Sequence, residues 1–96
     1  MVIETFTFRL AAGASRDEFV AADKEWQTEL IPNSPGYLRR TTACSDDGRW
    51  LVTTLWWTKE NADAFRAEAA STEIAKRLFA LVDADSVERG LFETLD

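Results

Sequence analysis

Residues 51–57 read Leu-Val-Thr-Thr-Leu-Trp-Trp, and the two adjacent tryptophans constrain the fold more than any other feature of the chain. The run is rich in β-branched and aromatic residues, the composition of a strand. Successive side chains of a strand point to opposite faces of the sheet, so Trp56 and Trp57 emerge on opposite sides. Each face then carries an apolar set: Leu51, Leu55 and Trp57 on one, Trp50, Val52 and Trp56 on the other. A tryptophan hides about 150–250 Å², so at about 25 cal/mol per Å² leaving one in water forgoes roughly 4–6 kcal/mol. Both faces of this sheet need a cover.

The remaining elements supply helix for one face only. Val2 to Leu10 alternates, with Phe6, Phe8 and Leu10 on one side and Thr5, Thr7 and Arg9 on the other, as a first strand does. Ser15-Arg16-Asp17-Glu18 is a capping box, and the helix it opens carries Phe19, Ala22, Trp26 and Leu30 at helical spacing before Pro32 stops it. Tyr37 to Cys44 and Arg49 to Trp57 read as strands joined by Ser45-Asp46-Asp47-Gly48, a hairpin signal. Thr58 can cap a helix from Lys59 to about Ala70, and Ser71 or Thr72 opens a further helical piece with Ile74, Leu78 and Leu81 or Val82 at spacings of three and four. Ser86 to Leu95 reads as a last strand, with Val87, Leu91 and Leu95 on one side and Phe92 on the other. The order is βαββαβ with the second helix broken in two. Right-handed crossovers place both helices on the same face of a four-stranded antiparallel sheet, an α+β ferredoxin-like sandwich. The other face is bare, and a short chain can cover it by packing face to face with a second copy in a twofold dimer.

Composition narrows the chemistry. The 96 residues have room for one domain, residues 1–96, and 46% apolar with 29% charged residues is ordinary globular composition. A net charge of −6 argues against nucleic acid as a partner. No run approaches the roughly 20 apolar residues of a membrane span, so no membrane partner is expected. The N-terminus lacks the basic start and apolar stretch of a signal peptide, and the expected location is the cytoplasm. The single Cys44 reads as a small buried hydrophobe. The chain contains no histidine, which removes the Ser/His/Asp and Cys/His arrangements and the commonest ligand for zinc or haem iron; neither a metal nor a cofactor is expected.

Several short motifs recur together: Gly13 after the first strand, Pro35-Gly36-Tyr37 opening the second, Asp47-Gly48-Arg49-Trp50 in the hairpin, and Trp56-Trp57-Thr58-Lys59-Glu60 leading into the second helix. On these the whole chain resembles the dimeric α+β barrel superfamily, and within it the antibiotic biosynthesis monooxygenase-like family. The superfamily includes cofactor-free oxygenases, haem-degrading enzymes, mutarotases, lactone isomerases and proteins with no known reaction. The resemblance implies a homodimer with a pocket between helices and sheet in each subunit. Val52, Thr54 and Trp56 then point into the pocket with Phe6 and Phe8, and Phe65 of the second helix stands near them. Leu51, Leu55 and Trp57 face the partner, beside Thr5 and Thr7 of the first strand.

The candidate chemistry follows residue by residue. Where haem-degrading relatives carry an axial histidine, this chain offers Ala75, Lys76 and Arg77. Lys76 or Arg77 lies near the basic residue expected in the oxygenases, whereas Val52 stands where they carry a polar amide and Ala62 or Phe65 where a tyrosine sits. One of Arg39 and Arg40 must face inward, either to bind an anionic ligand or enolate or to pair with Glu4, Glu88 or Glu93 of neighbouring strands. Tyr37, the only phenol, is a candidate acid or base or a rim residue. The expected function is a cofactor-free monooxygenase-like protein that binds a small aromatic or hydrophobic molecule. A non-catalytic binding or accessory dimer and an isomerase acting on a lactone or sugar are the alternatives. A cavity open to solvent past Tyr37 would separate the binding readings from a core filled by Phe6, Phe65 and Trp56.

Overall fold

A computed structural model describes residues 1–96. Four strands, β1 (Val2–Phe8), β2 (Tyr37–Cys44), β3 (Trp50–Trp56) and β4 (Glu88–Glu93), form one antiparallel sheet in the order β2-β3-β1-β4. Helices α1 (Arg16–Glu25), α2 (Lys59–Ala69) and α3 (Glu73–Ala80) cover one side of it, so the expected ferredoxin-like sandwich is what forms. No helix is long and apolar enough to cross a membrane.

Local chemistry fixes each boundary. The capping box closes α1, with Glu18 N–H donating to Ser15 Oγ at 3.1 Å and Ser15 N–H to Glu18 Oε1 at 2.9 Å. Thr58 and Thr72 accept from Asn61 and Ala75 N–H, each at 3.1 Å, so the second helical region is two helices with separate caps. Several strand ends fall short of the sequence reading, β4 stopping at Glu93 and β3 spanning Trp50–Trp56. Leu10 leaves β1 and makes only an isolated bridge to Val82, because Arg9 N–H donates to Ser86 Oγ instead of to a strand. The same region shortens β4: Asp83 accepts from Asp85 N–H and winds Ala84–Ser86 into a tight turn before the strand begins. Between Glu25 and Pro32 the chain continues helically but with wider i→i+5 turns over Trp26–Leu30, closed by Ile31 N–H donating to Trp26 C=O at 3.1 Å.

Gly36 opens β2 at φ +79°, and a β-carbon there would overlap the Asn61 side chain at the start of α2. Gly36→Ala is therefore expected to cost about 2 kcal/mol, the left-handed penalty plus the displacement of Asn61, measured by urea denaturation. Adding Asn61→Ala should return only a fraction of the second part, because the β-carbon it keeps also lies 2.7 Å from the new methyl group.

Alternation along β3 places Trp50, Val52, Thr54 and Trp56 under the helices and Leu51, Thr53, Leu55 and Trp57 on the opposite side. Trp56 is wholly buried, whereas Trp57 is 62% exposed. Ile3, Leu51 and Phe92 share the open face with Trp57, and Thr5, Thr7 and Leu55 lie half-buried among them.

Candidate functional site

Between the helices and the inner face of the sheet lies a cavity of about 290 Å³. Two aromatic groups bound it. At one end Phe19 packs on Phe8 and Trp50, with ring centroids 5.4 and 4.7 Å apart. At the other, Phe65 lies between Trp56 and Trp26, at 5.4 and 5.7 Å. Large rings held against one another cannot collapse into the gap without leaving their rotamers, so the space persists. The exposed members of its lining, Arg66, Ala70, Phe79 and Val87, mark a mouth between the paired helices α2 and α3 and the start of β4.

The sheet register organises the cavity floor into rows. One row runs from Thr42 through the apolar Val52 and Phe6 to Arg89. The next is polar: Arg40 lies opposite Thr54, which lies opposite Glu4. Both charges are buried and both are paired, as burial requires. Arg40 Nη2 stands 2.7 Å from Asp23 Oδ1 of α1, with the two side chains 4% and 9% exposed. The contact is a close ion pair rather than an aligned hydrogen bond. Arg40 also donates to Thr42 Oγ1 at 3.2 Å and sits 5.6 Å above the Trp26 ring.

Glu4 is held from the other side. Arg89 Nε donates to its Oε2 at 2.8 Å with Nη2 at 2.7 Å, and the Trp56 indole N–H donates to Oε1 at 3.3 Å. Arg66, at the mouth, brings Nη1 to 3.7 Å from Oε2 and donates from Nη2 to Asp63. A hydrogen bond from Lys59, with the charges of Lys59, Arg66 and Arg89, holds the exposed Asp63 carboxyl below its ordinary range.

No protein-family model and no curated protein sequence matches the chain, but solved structures do. SnoaB, a cofactor-independent oxygenase from Streptomyces nogalater, superimposes with a TM-score of 0.82 at 20% identity, over 99% of this chain and 93% of that one. A Bordetella bronchiseptica protein assigned to the antibiotic biosynthesis monooxygenases gives 0.80 at 16% identity, over 98% and 96%. The haem-degrader MhuD from Mycobacterium tuberculosis, solved with two haems in its active site, gives 0.66 at 19% identity, over 99% and 96%. The fold is that of the antibiotic biosynthesis monooxygenase-like proteins. It is shared across the full length of this chain, with the helices and strands in the same order as the residue pattern implied.

Within this fold the cavity wall brings together Trp56, Thr54, Val52, Phe6, Phe8, Phe65 and Arg40. Tyr37 and Lys76 lie off it. Tyr37 packs edge-on against the far side of Trp56, at 5.9 Å, and the mouth opens elsewhere. Lys76 points to solvent and pairs with Glu73, because its place on α3 is one residue past the inward-facing Ala75. Arg40 is the inward arginine, and its partner is Asp23 on a helix rather than a strand glutamate. Tyr37 and Arg40 both turn inward because the pairing skips Leu38: Tyr37 lies opposite Trp56 and Arg39 opposite Leu55.

The wall residues do not suit haem. Their donors are the Glu4 carboxylate, the Thr54 hydroxyl and two guanidiniums, with no imidazole, thiolate, thioether or phenolate to serve as axial ligand. Among the site residues missing from the sequence reading of the pocket are Glu4 as a wall group, Arg66, Trp26, Phe19 and Phe79. A carboxylate at the same strand phase as Phe6 and Phe8 was the available signal for Glu4.

Proposed function

We propose that the chain binds a small aromatic molecule in this cavity and oxygenates it with molecular oxygen alone, as one half of a homodimer. The observation that carries the reading is an open space of about 290 Å³ walled by aromatic rings and floored by one row of paired polar groups. Such a site excludes water, orients a flat ring by stacking, and leaves few polar atoms to fix its direction. The corresponding reaction oxidises an activated ring methylene to a carbonyl: two C–H bonds are lost, one oxygen atom enters the product, and the other leaves as water. The role of the protein is to deprotonate the substrate and to hold the resulting oxyanion near positive charge. Arg66 at the mouth, not Lys76, is the cation suitably placed for this. Trp56, held by its hydrogen bond to Glu4, orients the ring. The exposed sheet face with Ile3, Leu51, Trp57 and Phe92 supports the pairing of two copies through that face.

Binding without turnover is the second reading, favoured by the fact that Glu4 and Arg40 already have protein partners. One experiment separates the two. Tryptophan fluorescence is titrated with a panel of quinols, anthrones, flavonoids and lactones, and every binder is then followed in an oxygen electrode. Saturable quenching with oxygen uptake is the expected result. Quenching without uptake leaves a binding protein, and no quenching by any aromatic overturns both readings.

A further inference from the structure

We infer that the occupant of the cavity is a two-ring hydroxyaromatic whose hydroxyl group donates its hydrogen bond to Glu4, an assignment that rests on the aromatic-binding reading above. Four polar side chains reach the wall, and three of them are poor anchors. Arg40 is engaged by Asp23, by Thr42 and by the face of Trp26. Arg66 lies at the mouth, 46% exposed, where water competes for it. Thr54 sits in the row between Arg40 and Glu4 and carries no charge to strengthen a bond.

Glu4 differs from all three. Its residue is 5% exposed, and its oxygens are unequally used. Oε2 receives Arg89 at 2.8 and 2.7 Å, whereas Oε1 receives one long bond, 3.3 Å from Trp56 Nε1. A carboxylate oxygen accepts two hydrogen bonds, so Oε1 keeps an acceptor position in a wall that is mostly apolar. Buried acceptors with spare capacity are satisfied by donors, and a ligand O–H is a donor that an aromatic ring can carry into a dry site. An anionic ligand would meet the same carboxylate with like charge, which selects a neutral hydroxyl over a carboxylate.

The volume sets the ring count. A cavity of about 150 Å³ lined by apolar side chains holds benzene, and this one is about 290 Å³. One ring would rattle and two fused rings fit, with substituents directed to the mouth past Phe79 and Val87. Trp56 couples the two features, since the indole that stacks on the rings is the one that donates to Glu4.

The test uses calorimetric titration of the intact chain with 2-naphthol, 2-methoxynaphthalene and 2-naphthoate, which share two rings and differ in donor and charge. The expected order is naphthol first, at least about tenfold tighter than the methoxy compound, and naphthoate last. In Glu4→Gln the preference for naphthol over methoxynaphthalene should shrink several-fold and naphthoate should tighten. Equal binding of naphthol and its methyl ether, tightest binding of naphthoate, or a preference unchanged in Glu4→Gln each overturns the assignment while leaving an aromatic pocket. Binding by one-ring or three-ring phenols but by none of the three naphthalenes overturns the size class. Should Glu4→Gln fail to fold, the wild-type order alone decides. Failure of every aromatic belongs to the earlier reading, not to Glu4.

Discussion

Asp23→Ala is expected to cost about 3–5 kcal/mol of folding stability, because it strands the Arg40 guanidinium inside the protein. The side chain of Arg40 is 4% exposed and its closest countercharge is Asp23, 2.7 Å away. What remains after the substitution is one hydrogen bond to Thr42 and the face of Trp26, neither of which carries a full charge. The sheet gives the arginine no exit, since β2 holds its backbone opposite Thr54 and the helices lie directly above. The cause is the unpaired charge rather than a lost attraction, so removing both members should be mild. Asp23→Leu with Arg40→Met is expected within about 1 kcal/mol of the wild type, or above it. Urea denaturation of Asp23→Leu, Arg40→Met and the double variant gives the cycle. A double variant as unstable as Asp23→Ala would show that packing around α1, not charge, is what the pair supplies.

That pair also marks the boundary of what residues alone reveal. Period and capping placed every helix and strand within a few residues, because Ser15, Thr58 and Thr72 each act on the amides next to them. The two faces of β3 were legible for the same reason: alternation is a local property. Which arginine turned inward was not, since the answer depends on the skipped Leu38, and a bulge has no signature in Tyr-Leu-Arg-Arg. Asp23 as partner was hidden too, because it requires the rotation of α1 over the sheet. Glu4 and Arg89 could have been paired. Both sit at apolar phases of their strands, and the sheet makes β1 and β4 neighbours. The widened turn at Trp26–Leu30 has no comparable local cause, yet it carries Trp26 onto the cavity wall, between Phe65 and Phe79.

Trp57→Glu should have its effect in solution rather than in the fold. Trp57 is 62% exposed and Phe92 58%, on a sheet face with no helix over it. A charge there meets water in the single chain, so melting of the monomer should change little. In a twofold dimer each surface patch occurs twice, so one substitution places two carboxylates in the interface and removes two tryptophans. At about 2 kcal/mol for each buried aromatic anchor, association should weaken by about 4 kcal/mol, roughly a thousandfold in Kd. Sedimentation at micromolar concentration is expected to give a dimer for the wild type and a monomer for Trp57→Glu. Val20→Glu, which adds the same charge at an exposed site on α1, on the helix side of the sheet, should remain dimeric. If the wild type sediments as a monomer, the face is open in solution and the tryptophan needs another partner. If Val20→Glu dissociates as well, net charge rather than the Trp57 face governs assembly.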